Sequence, residues 1–253
     1  MSLKSLGRAV FFLAASALPG LAMHPAAPVR PSRERPLTPV IIDPGHGGID
    51  WGAVVKGVKE KDLALIFARK LKTRLLRNAD LPVVLTREGD TYVRLDDRMI
   101  DSVDRNGSIF VSLHLDKITG KKATGTVVYS FGPDRKNSSR RLSHPSVPPM
   151  PAPPKGQASE SERLAQAFTQ TLRAAGFEAE TAKSDYYVLK NPAQPSVLIE
   201  LGFLNNPEEA AKLSDPSYQD KMVESLAKTI ENYATKQALR STAAAEEPRG
   251  FNL

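Results

Sequence analysis

Short apolar runs alternate with segments of helical periodicity from Thr38 onward, and this alternation constrains the fold more than any other feature. Strand-like runs separated by amphipathic segments are typical of α/β proteins, in which helices pack on a sheet. The stretch "SIFVSLH" at 108–114 is a nearly continuous apolar run, as expected for a strand covered on both faces. The sequence therefore predicts a layered α/β fold.

The periodicity of the individual segments predicts the positions of the strands and helices. Strands are expected at 39–43, 82–86, 108–114, 125–131, 186–190 and 196–201. Helices are expected at 60–77, 95–105 and 159–175, and after Asn206-Pro207 and Asp215-Pro216, with the last helix ending near Tyr233. Ser159 and Glu162 predict a capping box at the start of the third helix.

The N-terminus has the pattern of a secretory signal peptide. Lys4 and Arg8 precede the apolar stretch "AVFFLAASALPGLA", which is too short to span a bilayer and ends in small residues. We therefore predict a signal peptide at 1–22 and an exported, periplasmic or secreted protein, without stable membrane insertion after cleavage.

Composition predicts the remaining boundaries. Residues 23–38 are expected to be a linker and 39–235 the catalytic domain. Within that domain, residues 132–157 are rich in proline, serine and basic residues and are expected to form an inserted surface loop. Residues 236–253 are expected to be a disordered tail.

The chain contains no cysteine, so any metal ion must bind to histidine and carboxylate side chains. The formal net charge of +7 is spread along the chain. For an exported protein, this charge favours the cell wall or envelope over nucleic acid as a partner, and we expect no nucleic-acid ligand.

Two of the four histidines, His46 and His114, lie at or just after the carboxyl ends of predicted strands, where open α/β sheets place their sites. Each one alone is equally well explained as a polar residue at the edge of a loop, but the pair indicates a metal site. A catalytic zinc typically has three protein ligands. The candidates for the third ligand are Asp43, Asp50, Glu60, Asp62, Asp116 and Glu200.

Glu200 differs from the other candidates because it lies inside the apolar run "SVLIELGF". An unpaired carboxylate there would be costly, so Glu200 is either paired with a cation or functional. A carboxylate beside a metal-bound water could act as the base that hydrolysis of an amide requires. Spacing alone does not separate the ligand from the base.

Five stretches in the chain resemble, in order, the motifs of the zinc-dependent N-acetylmuramoyl-L-alanine amidases that cleave bacterial peptidoglycan. They are "VIIDPGHGGIDWGA", "VKEKDLAL", "VVLTREGDTYVRLDDR", "IFVSLHLD" and "PSVLIELGFLNNPEE", and the similarity extends from about Val40 to Tyr233.

The resemblance implies one Zn²⁺ held by His46, Glu60 and His114, with Glu200 as the general base and acid. It also implies a three-layer fold with a mixed sheet of about six strands flanked by helices. The implied reaction is hydrolysis of the amide between the lactyl group of muramic acid and L-alanine, in cell-wall remodelling or daughter-cell separation.

The same resemblance places Arg87 and Arg98 on family arginines with a structural or substrate-orienting role. Asp43 is a candidate for orienting a metal ligand. The chain departs from the family pattern after His114, where Leu115-Asp116 replaces a small residue followed by Asn or Asp. The bulkier Leu115 is expected to alter the groove without touching the ligands, and Asp116 is a candidate for contact with the substrate or with a metal ligand.

The loop at 132–157 is a second departure. In some relatives the corresponding insertion is a helix that blocks the zinc until a partner protein removes it, but this proline-rich segment does not predict such a helix. An activator protein remains a candidate partner beside the peptidoglycan substrate, and the chain is expected to be a monomer. Two alternatives are an inactive peptidoglycan-binding protein and a zinc peptidase or deacetylase that acts on another wall bond.

Overall fold

The computed structural model describes residues 38–77, 81–117, 123–133 and 149–246. The predicted signal peptide, nearly all of the predicted linker, most of the predicted inserted loop and residues 247–253 lie outside this range.

Eight strands and five α-helices follow one another in the described residues. The first half contains β1 (Val40–Pro44), β2 (Val54–Val55), β3 (Val58–Lys59), α1 (Glu60–Leu75), β4 (Val83–Leu85), α2 (Leu95–Asp104) and β5 (Ile109–Asp116). The second half contains β6 (Thr126–Phe131), α3 (Lys155–Ala174), β7 (Ala179–Ser184), a 3-10 helix (Tyr187–Lys190), β8 (Ser196–Phe203), α4 (Pro207–Ser214) and α5 (Pro216–Glu246). No helix within the described ranges has the length and apolar content needed to cross a membrane.

Six strands form one mixed sheet in the order β4-β1-β5-β8-β6-β7, and β2 and β3 form a separate hairpin. The first four strands of this order run parallel, whereas β6 is antiparallel to β8. After β1 the chain passes through α1 to β4, at one edge of the sheet. After β5 it continues to β6, in the other half of the sheet. A crevice forms outside the carboxyl ends of two adjacent strands whose connections diverge in this way. The mixed six-stranded α/β fold expected from the sequence is confirmed.

Helices cover both faces of the sheet, which gives three layers. The larger core lies between the sheet and α1, α3 and α5, and its largest buried side chains include Phe67, Leu71, Leu75, Leu113, Leu115, Leu164 and Phe168. The smaller core, on the other face, consists of Ile41, Met99, Phe110, Val188, Leu189 and Leu198. Because side chains alternate between faces along a strand, β1 contributes to both cores.

The predicted strand at 186–190 is wrong. Residues Tyr187–Lys190 form a 3-10 helix that buries Val188 and Leu189, and the sixth strand of the sheet is β7. β7 lies at the sheet edge and exposes Glu180, Thr181 and Lys183. An edge strand with polar side chains lacks the apolar pattern by which a strand is detected in a sequence.

Two predicted helix boundaries are also wrong. The helix expected at 159 begins at Lys155, directly after Pro154, so Ser159 and Glu162 lie inside it and the inserted segment ends before Lys155. The last helix continues to Glu246, so the disordered tail predicted for 236–253 is wrong up to that residue. The stretch "KQALRSTAAAE" consists largely of strong helix formers, which permits this extension.

The helix α1 provides a test of the larger core. Leu71 is 0% exposed and Ile66, on the outer side of the same helix, is 41% exposed. We expect Leu71→Ala to lower the free energy of unfolding by about 2–5 kcal/mol, because it leaves a cavity in the core. Ile66→Ala should change it by less than about 0.5 kcal/mol. Urea unfolding of both variants measures the difference, and equal losses would contradict this packing.

Candidate metal centre

The loop after β1 holds His46 in a backbone conformation that few non-glycine residues adopt. Its φ is 58°, in the left-handed region. Reciprocal backbone hydrogen bonds between Gly47 and Asp50 close the turn that follows, with N···O distances of 2.9 and 3.1 Å. Strained backbone of this kind persists where the surrounding structure fixes it, and it clusters at functional sites.

Two glycines in this region allow the chain to pack directly against the candidate ligands. A Cβ atom at Gly45 would overlap the ring of His114. A Cβ atom at Gly52 would overlap the carboxylate of Glu60 and the ring of His46. Glycine is therefore required at both positions by close approach, and not only by the turn.

Three side chains from separate parts of the chain converge at the carboxyl ends of β1 and β5. Oε1 of Glu60, the first residue of α1, lies 3.0 Å from Nε2 of His46 and 2.9 Å from Nδ1 of His114. The ligand atoms of all three residues lie within 4.8 Å of one another. The structure thus brings together the three residues that the family resemblance implied as ligands.

Backbone and carboxylate groups fix the orientation of this cluster. The Glu60 carboxylate accepts hydrogen bonds from the backbone N–H of Ala53 at 2.8 Å and of Leu115 at 3.1 Å. A carboxylate oxygen of Asp50 lies 2.8 Å from Nδ1 of His46. This contact directs Nε2, the other ring nitrogen of His46, towards Glu60. A carboxylate behind a histidine is the usual way in which a metal-binding imidazole is oriented.

The electrostatics of the cluster favour a positive charge at its centre. Burial acts to lower the pKa of His46, but hydrogen bonds to Asp50 and Glu60 outweigh it and raise the pKa to about 10. Burial acts to raise the pKa of Glu60, and hydrogen bonds with His114 and His46 hold it far below its usual value. A divalent cation between His46, Glu60 and His114 would contact the Glu60 carboxylate, with Asp50 behind the His46 imidazole.

The donor set fits a zinc ion. Two ligand atoms bound to one tetrahedral zinc at 2.0–2.1 Å are roughly 3.3 Å apart, close to the separations of Glu60 from the two imidazoles. Two imidazoles and one carboxylate also form the His₂Glu set of zinc hydrolases, which leaves a position open for water or substrate. The residues present can therefore hold such a metal.

Glu200 lies beside this cluster on β8. It is paired in register with His114 on the adjacent parallel strand, so the two side chains project from the same face of the sheet, from strands about 4.8 Å apart. Glu200 is only 8% exposed although its side chain ends in a carboxyl group. The base candidate thus adjoins the metal-ligand candidates without belonging to their cluster.

The two arginines of the family pattern hold the His46 loop through its carbonyl groups. Arg87 donates to the carbonyl oxygens of Pro44 and Gly45 at 2.9 and 2.8 Å, and Arg98 donates to that of His46 at 2.7 Å. Both arginines are 3% exposed. These contacts give both residues a role in loop structure.

Asp43 anchors the arginine that holds the loop. Its carboxylate is 2.5 Å from Arg98 and accepts hydrogen bonds from Thr86 at 2.6 Å and Ser112 at 2.7 Å. Burial acts to raise the pKa of Asp43, but Arg98 and these hydroxyl groups outweigh it and hold the pKa below 3.8. Asp43 therefore supports His46 indirectly, through Arg98.

Two acidic candidates for the third ligand lie outside the cluster. Asp116 follows an irregularity in the pairing of β5 with β8, and its carboxylate accepts from the backbone N–H of Lys117. Asp62 is exposed on the first turn of α1. In contrast, Asp50 contacts His46 in a role that the sequence did not assign to it. Its position four residues after a histidine in a glycine turn was the only signal.

Lys61 was missed entirely by sequence reasoning. Its ammonium is buried, and it contacts the carbonyl of Gly48 at 2.8 Å and the carboxylate of Asp90 at 2.6 Å. Asp90 also accepts from the backbone N–H of Gly48 at 2.8 Å. This pair fixes the outer end of the His46 loop.

The chain is similar to proteins of known family. Residues 40–232 match the N-acetylmuramoyl-L-alanine amidase family. The N-acetylmuramoyl-L-alanine amidase AmiA of Escherichia coli K12 is 31% identical over 219 residues, which cover 77% of this chain and 75% of AmiA.

Solved structures show the same similarity. The N-acetylmuramoyl-L-alanine amidase from Clostridium difficile 630 superimposes with a TM-score of 0.65 at 30% identity, covering 79% of this chain and 97% of that structure. The CwlD amidase from Clostridioides difficile, solved in complex with the GerS lipoprotein, gives a TM-score of 0.57 at 27% identity over 78% of this chain and 98% of CwlD.

The buried pair of Asp43 and Arg98 provides a test by mutation and pH. Asp43→Asn leaves Arg98 without its counter-charge, so we expect a loss of about 3–5 kcal/mol in the free energy of unfolding at pH 7. Asp101→Asn, which breaks the exposed pair with Arg105, is the control and should cost less than about 1 kcal/mol.

The loss caused by Asp43→Asn should depend on pH. The folded-state pKa of Asp43 lies below the unfolded value of 3.8, so its stabilisation is fully present above that value. It should disappear as the pH falls through the folded-state pKa. Denaturant unfolding from pH 3 to 7 measures this, and a gap that does not narrow in acid would contradict the assignment.

The contact of Asp50 with His46 predicts an effect on metal affinity. Asp50→Ala removes the carboxylate that orients the imidazole, so we expect affinity for Zn²⁺ to fall roughly 10- to 100-fold while the fold remains intact. Asp62→Ala, on the exposed side of α1, should leave the affinity unchanged. Competition with a chromophoric chelator measures both variants, and equal affinities would exclude this role for Asp50.

Proposed function

The chain belongs to the N-acetylmuramoyl-L-alanine amidase family, and on this basis we propose that it hydrolyses the amide between the lactyl group of muramic acid and L-alanine in peptidoglycan. The observation that carries the proposal is the convergence of His46, Glu60 and His114 in the crevice of the sheet, with Glu200 in register beside His114. Hydrolysis of an unactivated amide requires an electrophile and a base held together in this way.

The three converging residues are proposed to hold one Zn²⁺, through Nε2 of His46, a carboxylate oxygen of Glu60 and Nδ1 of His114. When bound there, zinc lowers the pKa of a water ligand from 15.7 towards about 7 and polarises a carbonyl group. Glu60 contributes one negative charge, and its backbone hydrogen bonds with Ala53 and Leu115 hold the carboxylate in place for this role.

Glu200 is proposed as the general base and acid. Its carboxylate takes a proton from the attacking water and delivers it to the alanine nitrogen, which must be protonated before it can leave as an amine. Its low exposure supports this role, because a carboxylate shielded from bulk water transfers its proton within the site and not to solvent. The neighbouring strand holds His114 at the distance of one strand spacing.

Arg87 and Arg98 are proposed to act on structure and not on substrate. Their guanidinium groups are satisfied by the carbonyl oxygens around His46 and, for Arg98, by Asp43. They therefore fix the strained turn that directs His46 towards the other ligands. Asp43 is proposed to contribute through Arg98.

We further propose that the chain is exported by its N-terminal signal and acts as a monomer on peptidoglycan in the periplasm or outside the cell. Cell-wall remodelling or daughter-cell separation is the proposed setting. The complex of the CwlD amidase with the GerS lipoprotein supports a protein activator as a partner of this chain too.

Glu200→Gln tests the assigned chemistry. We expect turnover to fall at least about 100-fold, because the glutamine cannot accept the proton, while one zinc per chain is retained. Glu208→Gln, an exposed residue of α4, is the matched control and should retain activity. Zinc content is measured by atomic absorption, and products released from purified peptidoglycan are identified by mass spectrometry.

The products also test the reaction itself. An amidase releases intact stem peptides that begin with alanine. Release of acetate would instead identify a deacetylase, and cleavage within the stem would identify a peptidase. Binding of peptidoglycan without any product would identify a binding protein, and full activity of Glu200→Gln would exclude the proposed base.

A further inference from the structure

An exposed aromatic side chain lies at the edge of the proposed active site. Trp51 is the only tryptophan of the chain, and it is 50% exposed. It immediately precedes Gly52, which packs against Glu60 and His46. Ile49, two residues earlier, is 85% exposed. Large apolar side chains exposed together beside a site commonly mark a surface that binds a ligand.

A lysine lies against this tryptophan. Nζ of Lys59 is 4.3 Å from the centroid of the Trp51 ring, within the range of a cation–π interaction. Lys59 directly precedes Glu60, a proposed metal ligand, in the chain. The interaction couples a positive charge to the exposed indole.

This lysine differs from three lysines of the adjacent helix α1. Lys61, Lys70 and Lys72 form ion pairs with carboxylates at 2.5–2.7 Å. Lys59 forms no such pair within the part of the chain that the structure describes. Its positive charge is therefore available to a ligand that carries a carboxylate.

The charged side chains of the β2–β3 hairpin beside the site are all positive. Residues 52–59, "GAVVKGVK", contain Lys56 and Lys59 and no acidic residue. The two arms of the proposed substrate differ in charge: the glycan arm consists of neutral sugars, whereas the stem peptide carries free carboxylates. Charge complementarity therefore favours the stem peptide, and not the glycan, on the side of the site formed by β2 and β3.

We propose that Trp51 and Lys59 form the subsite for the acidic stem peptide. Lys59 pairs with the carboxylate of the residue that follows alanine, and the indole of Trp51 packs against the peptide beside it. This inference rests on the proposed amidase function. The subsite orients the substrate of that reaction across the metal centre. In this subsite Trp51 and Lys59 determine specificity and are not catalytic residues.

Binding without turnover provides the test. The full chain carrying Glu200→Gln and loaded with zinc is titrated with N-acetylmuramoyl-L-alanyl-D-glutamate, with its isoglutamine counterpart, in which an amide replaces the α-carboxylate, and with chitotetraose as a neutral glycan. Because Trp51 is the only tryptophan, its fluorescence reports directly on contact at the subsite. Affinities are measured in parallel by calorimetry.

We expect the acidic ligand to shift the Trp51 emission and to bind roughly five-fold more tightly than the isoglutamine form, as for a solvent-accessible ion pair. Lys59→Gln should abolish this preference. Lys56→Gln, on the same hairpin, is the matched control and should retain it. In the active enzyme, Lys59→Gln should raise KM for the acidic substrate and leave kcat unchanged.

Three outcomes would overturn the subsite. They are no preference for the α-carboxylate over its amide when Lys59 is present, a preference that survives Lys59→Gln, or a shift of Trp51 emission by chitotetraose in the absence of a muramoyl ligand. The comparison between the two muramoyl ligands needs no substitution at Lys59, so it remains valid even if that variant folds poorly. Hydrolysis of peptidoglycan without a carboxylate preference would refute only the subsite, whereas absence of hydrolysis by the wild-type chain would refute the proposed function.

Discussion

One carboxylate oxygen, Oε1 of Glu60, connects the three parts of the chain on which the site depends. It lies within hydrogen-bond distance of His46 in the loop after β1, of His114 on β5 and of the backbone N–H of Leu115. A charge with so little exposure is stable only when such partners are all in place. The start of α1, the turn after β1 and the end of β5 are therefore positioned as one unit.

The other polar contacts around the site serve the conformation of the His46 turn. Asp43 holds Arg98, and Arg98 and Arg87 hold the carbonyl groups of the loop. Lys61 holds the far end of the turn. A left-handed histidine is costly by itself, and these buried hydrogen bonds offset its strain. The site is thus rigid because of contacts that do not touch the proposed metal position.

The periodic patterns of the sequence predicted most of the fold and the two histidines of the metal-ligand cluster, whereas only the family resemblance implied Glu60, among six candidate carboxylates, as the third ligand. Strands covered on both faces and helices with one apolar stripe leave strong periodic patterns, and His46 and His114 each lie at the end of such a strand. The edge strand β7 leaves no such pattern, and Val188 with Leu189 is apolar enough to imitate one. The contacts of Asp50 and Lys61 depend on the path of an irregular turn, which no periodicity encodes. The base role of Glu200 stays a prediction.

The order of the elements along the chain has a consequence for biogenesis. All three members of the metal-ligand cluster lie between residues 46 and 114, whereas Glu200 belongs to β8, which enters the sheet between β5 and β6. A polypeptide that emerges N-terminus first therefore contains the complete ligand set while most of its C-terminal half is still unsynthesised. A chain that ends before β8 would therefore contain every residue proposed as a metal ligand and lack the residue proposed as the base, so β8 is the strand that completes the site.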